Sequence, residues 1–189
     1  FVCKGIRHLA LDGVDPASIV GWDRLSIQLT SLVCTHISMA DITDLFVGLV
    51  QRDAHVESLP AAAWHALQYA CLAHNELTFV PSSMTTILPS LRYLDVSHNL
   101  LNAVPPALEC LHKLQALNVS GNMIDSVLGI YLSLPHIRVL NLGGNRLESL
   151  CGVERLHTLE QIDLRANIIQ DPGEVGRLAT LPQISHVWI

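Results

Sequence analysis

The sequence predicts an α/β solenoid, a stack of about eight similar units whose short strands line up in one parallel, concave sheet. Residues 137–147, IRVLNLGGNRL, match the pattern L-x-x-L-x-L-x-x-N-x-L at every position after the first. The same phrase starts again at Leu91, Leu114 and Leu159, so these units are 22 or 23 residues long. Half of the residues are apolar but only 5% are aromatic, which suits a core of Leu, Ile, Val and Ala.

These phrases resemble those of the leucine-rich repeat superfamily, and the resemblance covers nearly the whole chain. The last two full units, which carry LESLCGVERLHT and QDPGEVGRLAT, are similar to the short cytosolic repeats of protein-phosphatase regulators and kinase-associated scaffold proteins. The resemblance implies a single repeat domain over residues 1–189 that binds a protein partner through its concave face. It does not identify the partner, because this architecture serves many.

The first 66 residues predict degenerate units. Two units that lack the turn asparagine start at Ile6 and Leu29. Asp41 is a candidate N-cap for an amphipathic helix near residues 41–50. The following stretch 51–63 is polar and broken at Pro60, so we expect it to form a surface loop.

Regular units are predicted over residues 67–189. Their starts are Leu67, Leu91, Leu114, Ile137, Leu159 and Leu181. The last unit stops at Ile189 before any turn, so we expect the chain to be a fragment of a longer protein.

An asparagine occupies the turn position of five units. An amide both donates and accepts hydrogen bonds, so at a sharp buried turn it can satisfy backbone groups that no strand pairs with. We therefore expect a structural column formed by Asn75, Asn99, Asn122, Asn145 and Asn167.

Charge and cysteine content limit the partners and the compartment. The net charge is −6, from 17 acidic and 11 basic residues, and no run of Lys or Arg is present, so nucleic acid is not expected. No apolar run approaches the roughly 18 residues that span a bilayer. Five cysteines without a C-x-x-C pair or a Cys-rich cap favour the cytoplasm, with the nucleus as the alternative. We expect a monomer.

The exposed strand positions bring aromatic and polar residues together on the concave face. Tyr69 and Tyr93 fall in one column, and His36, His74 and His98 fall in another. Neighbouring parallel strands are about 4.8 Å apart, so the members of a column touch. The adjoining floor is almost bare because it consists of Gly121, Gly143 and Gly144. The predicted partner-binding residues are Tyr69, His74, Arg92, Tyr93, Asp95, His98, Asn118, Arg138, Asn141 and Arg165. The alternative is a generic hydrated sheet face.

Catalysis is not predicted, because the sequence has no Gly-rich phosphate loop, no G-x-S-x-G elbow and no H-E-x-x-H motif. Cys71, His74 and His98 could reach one metal ion, but they occupy exposed positions whose identity the fold is expected to constrain little. We therefore expect neither a metal nor a cofactor. A pH-responsive role of the three histidines stays open.

The function that these observations favour is partner binding within a cytosolic regulatory or scaffold protein. Two alternatives come from other classes of protein. One is a non-catalytic regulatory subunit of a phosphatase or small GTPase, and the other is a ribonucleoprotein component that holds a protein beside RNA.

Overall fold

One sheet of eight parallel strands organises the protein, as a computed structural model describes it for residues 5–37 and 42–189. Each strand pairs with the next one along the chain. The predicted solenoid with partly helical returns is therefore confirmed. The strands are β1 His8–Asp12, β2 Ser31–Thr35, β3 Tyr69–Cys71, β4 Tyr93–Asp95, β5 Ala116–Asn118, β6 Val139–Asn141, β7 Gln161–Asp163 and β8 His186–Trp188.

The strand register agrees with seven of the eight predicted unit starts. Tyr69 of β3 pairs with Tyr93 of β4, and the equivalent positions pair on through β5 and β6 to Gln161 of β7. His8 and Ser31 continue the same row into the first two units. Side chains of equivalent position therefore form straight columns across the sheet.

The predicted start of the eighth unit at Leu181 is wrong. Gln161 pairs with His186, and this register puts the start at Ile184. The seventh unit is thus 25 residues long instead of 22. Its return is longer because it holds two consecutive short helices, Pro172–Gly176 and Arg177–Thr180.

The error has a physical origin in the spacing of the leucines. Leu181 occupies the place of Leu156 in the preceding unit, and both side chains are buried, with 4% and 2% of their surface exposed. The pattern begins with two apolar residues three positions apart. Leu181 and Ile184 have this spacing, and so do Ile184, the true start, and Val187. In the corrected register, Trp188 joins the column of Asp163 on the exposed side of the sheet.

The inward side chains of all units form one continuous core. Strands β2 to β7 each contribute one inward residue at an equivalent position, and these residues lie one above the other. Because every core side chain contacts the neighbouring units, the stability of one unit depends on the units next to it. These inward residues are Leu32, Ala70, Leu94, Leu117, Leu140 and Ile162.

Short helices occupy most of the returns. The α-helices are α1 Trp22–Gln28, α2 Leu49–Ala54, α3 Ser82–Thr86, α4 Ile130–Ser133 and α5 Pro172–Gly176. The 3-10 helices are Pro16–Ser18, Pro106–Cys110, Val153–Arg155 and Arg177–Thr180. In the described ranges, no helix has the length and apolar character needed to cross a bilayer.

The helix expected near residues 41–50 extends further than predicted. Asp41, the candidate N-cap, lies outside the described residues. A π-helical segment, Asp44–Gly48, runs directly into α2 and continues to Ala54, inside the stretch 51–63 that the sequence predicts as a loop. The extra turn is held in place because the Asp53 carboxylate accepts hydrogen bonds from backbone N–H groups at the start of α1.

Helix α1 is a further helix that the sequence analysis missed. Its apolar spacing is visible in Trp22, Leu25 and the C-cap residue Leu29, an i, i+3, i+7 pattern, but the helix itself has only seven residues. The Trp22 ring packs against Trp64, which in turn contacts Phe46 of the π-helical segment. This aromatic cluster joins α1 to the π-helical segment, and Ala63 at the end of the predicted loop is buried beside Trp64 in the sequence.

Candidate partner-binding face

The five turn asparagines tie consecutive units together. Asn122 is typical, because its Oδ1 accepts the N–H of Leu101 in the preceding unit at 3.0 Å. Its Nδ2 donates to the carbonyls of Val96 and Val119, at 3.0 and 2.9 Å. Each of the other four also accepts a backbone N–H of the preceding unit and donates to a carbonyl there.

A second ladder of polar side chains closes the turn directly after each of the strands β4 to β7. Asp95, Asn118, Asn141 and Asp163 each accept the backbone N–H two residues later, at 2.9 to 3.1 Å. This arrangement is an Asx turn. Its sequence signal is the Asp or Asn at the last position of each of these strands. Three of these four are predicted partner-binding residues, so part of their hydrogen-bonding capacity is already used within the protein.

Tyr69 and Tyr93 form a stacked pair on the exposed side of the sheet, which is called the strand face below. Their rings are parallel and their centroids are 4.5 Å apart, as their shared column predicts. The Tyr93 hydroxyl lies 3.4 Å from the Asp95 carboxylate. Burial, followed by neighbouring acidic groups, raises the pKa of both phenols, so both hydroxyls stay protonated at neutral pH.

His36, His74 and His98 stack beside the tyrosines, and together they are called the histidine ladder. Centroids of neighbouring rings are 4.7 and 4.4 Å apart, and the rings are parallel within 16°. At one end, His36 Nδ1 lies 2.8 Å from a carboxylate oxygen of Asp12. All three side chains are exposed to solvent.

The fold constrains these histidine positions more than the sequence analysis expects. They belong to a turn column in which the backbone is left-handed, with φ between 52° and 64°, a region that ordinary side chains seldom adopt. Glycine is the least strained choice there, and histidine is among the side chains that tolerate it better than most. The column consists of Gly13, His36, His74, His98, Gly121, Gly144 and Ala166.

A shallow cavity of about 410 Å³, called the glycine slot, adjoins the histidine ladder at His98, the end opposite to Asp12. A Cβ atom on Gly121 would lie 2.6 Å from Nδ1 of His98, so the ring occupies the space that a side chain there would need. The slot is lined by His98, Ser120, Gly121, Asn141, Gly143, Gly144, Asp163, Arg165 and Ala166.

Two predicted arginines are already paired with acids that the sequence analysis did not select. Arg165 donates from Nε and Nη2 to the Asp163 carboxylate, at 3.0 and 2.6 Å, and its guanidinium lowers the pKa of that carboxyl. Arg138 Nη2 lies 2.6 Å from Glu160. Arg92 is exposed at the edge of the strand face. Glu160 lies in the column of Arg138, one unit further along the chain, and Asp163 lies two residues before Arg165. Both pairs are therefore visible in the sequence.

The possible metal ligands do not form a site. Among the described residues, no group of three His, Cys, Asp or Glu side chains is placed to hold a metal ion, so Cys71, His74 and His98 do not make one. Burial raises the pKa of the Cys71 thiol, and it raises that of Cys34, on the inner side of β2, to about 12. Both thiols therefore stay protonated, which disfavours them as ligands.

A second cavity, of about 490 Å³, lies at the other end of the stack and away from the strand face. Apolar side chains such as Ile6, Leu9 and Leu25 line much of it. Its Asp53 carboxylate is engaged by backbone N–H groups and by Arg52. We place the candidate site on the strand face, because exposed rings and polar groups converge there.

Known proteins resemble this chain in sequence and in structure. A family model described as leucine-rich repeat matches residues 67–124. The human serine/threonine-protein kinase 11-interacting protein is 31% identical over 189 residues, which is all of this chain but 17% of that protein. An uncharacterised leucine-rich repeat-containing protein of Schizosaccharomyces pombe is 40% identical over 55 residues, which are 29% of this chain and 9% of the yeast protein.

Solved structures support the same architecture. A leucine-rich repeat protein of Leptospira interrogans is 25% identical and superposes with a TM-score of 0.61, over 85% of this chain and 37% of that one. Internalin C2 of Listeria monocytogenes is 23% identical and superposes with a TM-score of 0.69, over 97% of this chain and 71% of the internalin chain. The chain thus spans less than a fifth of the length of either curated relative.

Proposed function

Because this chain is a leucine-rich repeat protein, we propose that it is the partner-binding module of a cytoplasmic regulatory or scaffold protein, and that it binds through its strand face. Proteins of this architecture generally mediate protein–protein interaction, and their sheet face is the usual surface. Within the described residues, Cys34, Cys71, Cys110 and Cys151 are free thiols, which is consistent with a reducing compartment.

The observation that supports this proposal most is the preorganisation of the aromatic patch, which consists of the stacked pair Tyr69 and Tyr93 and the histidine ladder. The tyrosine pair and the histidine ladder are stacked ring on ring, so each ring is held by its neighbour before any partner arrives. A partner that packs on fixed rings loses less conformational entropy than one that must order them. Aromatic side chains of this kind commonly supply most of the binding energy of an interface.

The partner that we propose is a serine/threonine kinase. The human relative is named for its interaction with serine/threonine-protein kinase 11, and the similarity extends over the full length of this chain. The chain contributes no catalytic group in this proposal. It positions the kinase beside whatever else the larger protein carries.

The test is a binding measurement with purified human serine/threonine-protein kinase 11 as the probe. The double substitution Tyr69→Ala and Tyr93→Ala removes both stacked rings. We expect it to raise the dissociation constant about tenfold or more, as loss of central aromatic residues typically does. Phe79→Ala is the matched control, because Phe79 is an aromatic residue outside the strands with 51% of its surface exposed.

The outcomes separate the two parts of the proposal. Equal loss in the control variant, or no loss in the tyrosine variant, would show that the kinase binds elsewhere. If the wild-type chain does not bind the kinase, the proposed partner is wrong. Thermal unfolding of all three proteins checks that the fold is intact.

A further inference from the structure

The histidine ladder stacks three ionisable rings on an exposed surface. Neighbouring centroids are 4.7 and 4.4 Å apart, a good distance for neutral rings in van der Waals contact. Two imidazolium cations at the same distance repel each other, even where water screens them. The ladder is therefore compatible with neutral rings but not with a charge on all three.

The backbone prevents the rings from moving apart together with their strands. The N–H of His36 bonds to the carbonyl of His74 at 3.1 Å, and the N–H of His74 bonds to that of Ser97 at 3.1 Å. His98 is held in the same way by the carbonyl of Ser120, at 2.8 Å. Charged rings can separate only by rotating out of the stack into solvent.

Few charges near the ladder can compensate for its protonation. Asp12 forms its hydrogen bond with the first ring, and Asp95 and Asp12 act on the middle ring through their charge alone. Beyond the third ring lies the uncharged Gly121, and the acid across the slot is already bound by its arginine. The titratable groups that face or adjoin the ladder on the strand face are Asp12, Tyr69, Cys71, Tyr93, Asp95, Asp163 and Arg165.

We propose that the histidine ladder is a proton-responsive element of the strand face, stacked while its rings are neutral and opened when acidification charges the middle ring between two charged neighbours. Opening removes part of the preorganised patch and adds positive charge to the face. For its effect on binding, this inference rests on the proposed function. The coupling between the rings does not depend on any partner.

The position of His74 in the middle of the ladder supports this assignment. Its pKa is lowered by desolvation, and then by the positive charge that His98 and His36 can carry. The carboxylates of Asp95 and Asp12 act in the opposite direction but do not reverse the shift. The middle ring therefore binds a proton less readily than a free imidazole.

An NMR pH titration of the histidine side chains in the purified chain tests the coupling directly. His98→Asn removes one neighbour, and Asn tolerates the left-handed backbone at this position. We expect the titration midpoint of His74 to rise by roughly 0.5 to 1 pH unit, the effect of removing a unit charge about 4.5 Å away. His36→Asn removes the other neighbour and is expected to act in the same direction.

The matched control is His112→Asn, which changes an exposed histidine outside the ladder. It should leave the midpoint of His74 unchanged. If neither His36→Asn nor His98→Asn moves that midpoint, the rings titrate independently and the proposal is overturned. The backbone amide spectrum of each variant reports whether the fold is intact.

A second measurement tests the consequence for binding. Affinity for the kinase is compared at pH 7.4 and pH 5.8, in the wild type and in the His74→Asn/His98→Asn double variant. We expect the dissociation constant of the wild type to rise about three- to tenfold at the lower pH. This factor corresponds to a shift of 0.5 to 1 unit in the pKa of one group on binding. The double variant should lose most of this dependence.

The two arms fail differently. Coupled titration together with a pH-independent wild-type affinity would overturn the regulatory role of the ladder. A wild-type chain that does not bind at pH 7.4 would count against the proposed function instead, and the titration would still decide whether the rings are coupled.

Discussion

At the scale of single residues, the turn asparagines show how one side chain stabilises two units at once. The Asn122 amide bonds to Leu101 and Val96 of the preceding unit and to Val119 of its own. The side chain is 7% exposed, so water cannot replace these partners easily. Its contribution to stability is therefore larger than that of a surface amide.

Asn122→Ala is expected to lower the free energy of unfolding by about 1–3 kcal/mol, because it leaves buried backbone donors and acceptors unpaired. The urea midpoint measures this change. Asn102→Ala is the control, because Asn102 is an exposed asparagine in the preceding unit. Equal midpoints for the two variants would mean that the buried amide has no special role.

His74 gives the protein an expected acid sensitivity. Its pKa in the folded state is lowered, first by desolvation, so the unfolded chain binds a proton more readily than the folded chain. The stability that this provides is complete above the unfolded pKa of about 6.5 and is lost as the pH falls through the lower folded value. Denaturant unfolding at pH 7.5 and 5.5 should show a smaller pH-dependent loss for His74→Asn than for the wild type. An identical loss would contradict this expectation.

At the scale of elements, the turn column determines which side chains can lie beside the glycine slot. Gly121 and Gly144 have φ of 63° and 64°, so alanine at either site adopts an unfavourable backbone conformation. The two sites differ in their surroundings. A Cβ at Gly121 would lie 2.6 Å from the His98 ring, whereas one at Gly144 would meet the backbone of Gly121 at 3.4 Å.

Gly121→Ala and Gly144→Ala should each lower the free energy of unfolding by roughly 1–2 kcal/mol, the cost of an L side chain in the left-handed region. Only Gly121→Ala should also displace the His98 ring from the ladder. Histidine side-chain NMR shifts report the displacement, and chemical denaturation reports the stability. If Gly144→Ala disturbs His98 as strongly as Gly121→Ala, the ring does not occupy the assigned space.

The regular elements could be predicted from the sequence because their leucines recur at fixed spacing. The stacking of Tyr69 on Tyr93 followed from that register without further information. The predicted start of the eighth unit is wrong because the buried Leu181 and the half-buried Ile184 are three residues apart, so either one fits the first position of the pattern. The left-handed backbone of the histidine positions is less visible in the sequence, because glycine at the equivalent positions 121 and 144 is its only sign there and also fits a bare floor.

At the scale of the whole molecule, the strand face joins features from separate units into one surface. Between Tyr69 on β3 and Arg165 just after β7 there are four strand steps of about 4.8 Å each. The core beneath is continuous, so the positions of these side chains are fixed relative to each other. A partner that recognises the stacked rings at one end can reach the glycine slot with the same segment.

Site-specific photocrosslinking in cells tests the central claim, that the strand face binds the partner, most directly. A photoreactive phenylalanine analogue is placed at position 93 in one variant and at position 79 in another, since Phe79 lies outside the strands and is 51% exposed. We expect a discrete crosslinked protein from position 93 and none from position 79. Crosslinking from position 79 alone, or equally from both positions, would contradict it.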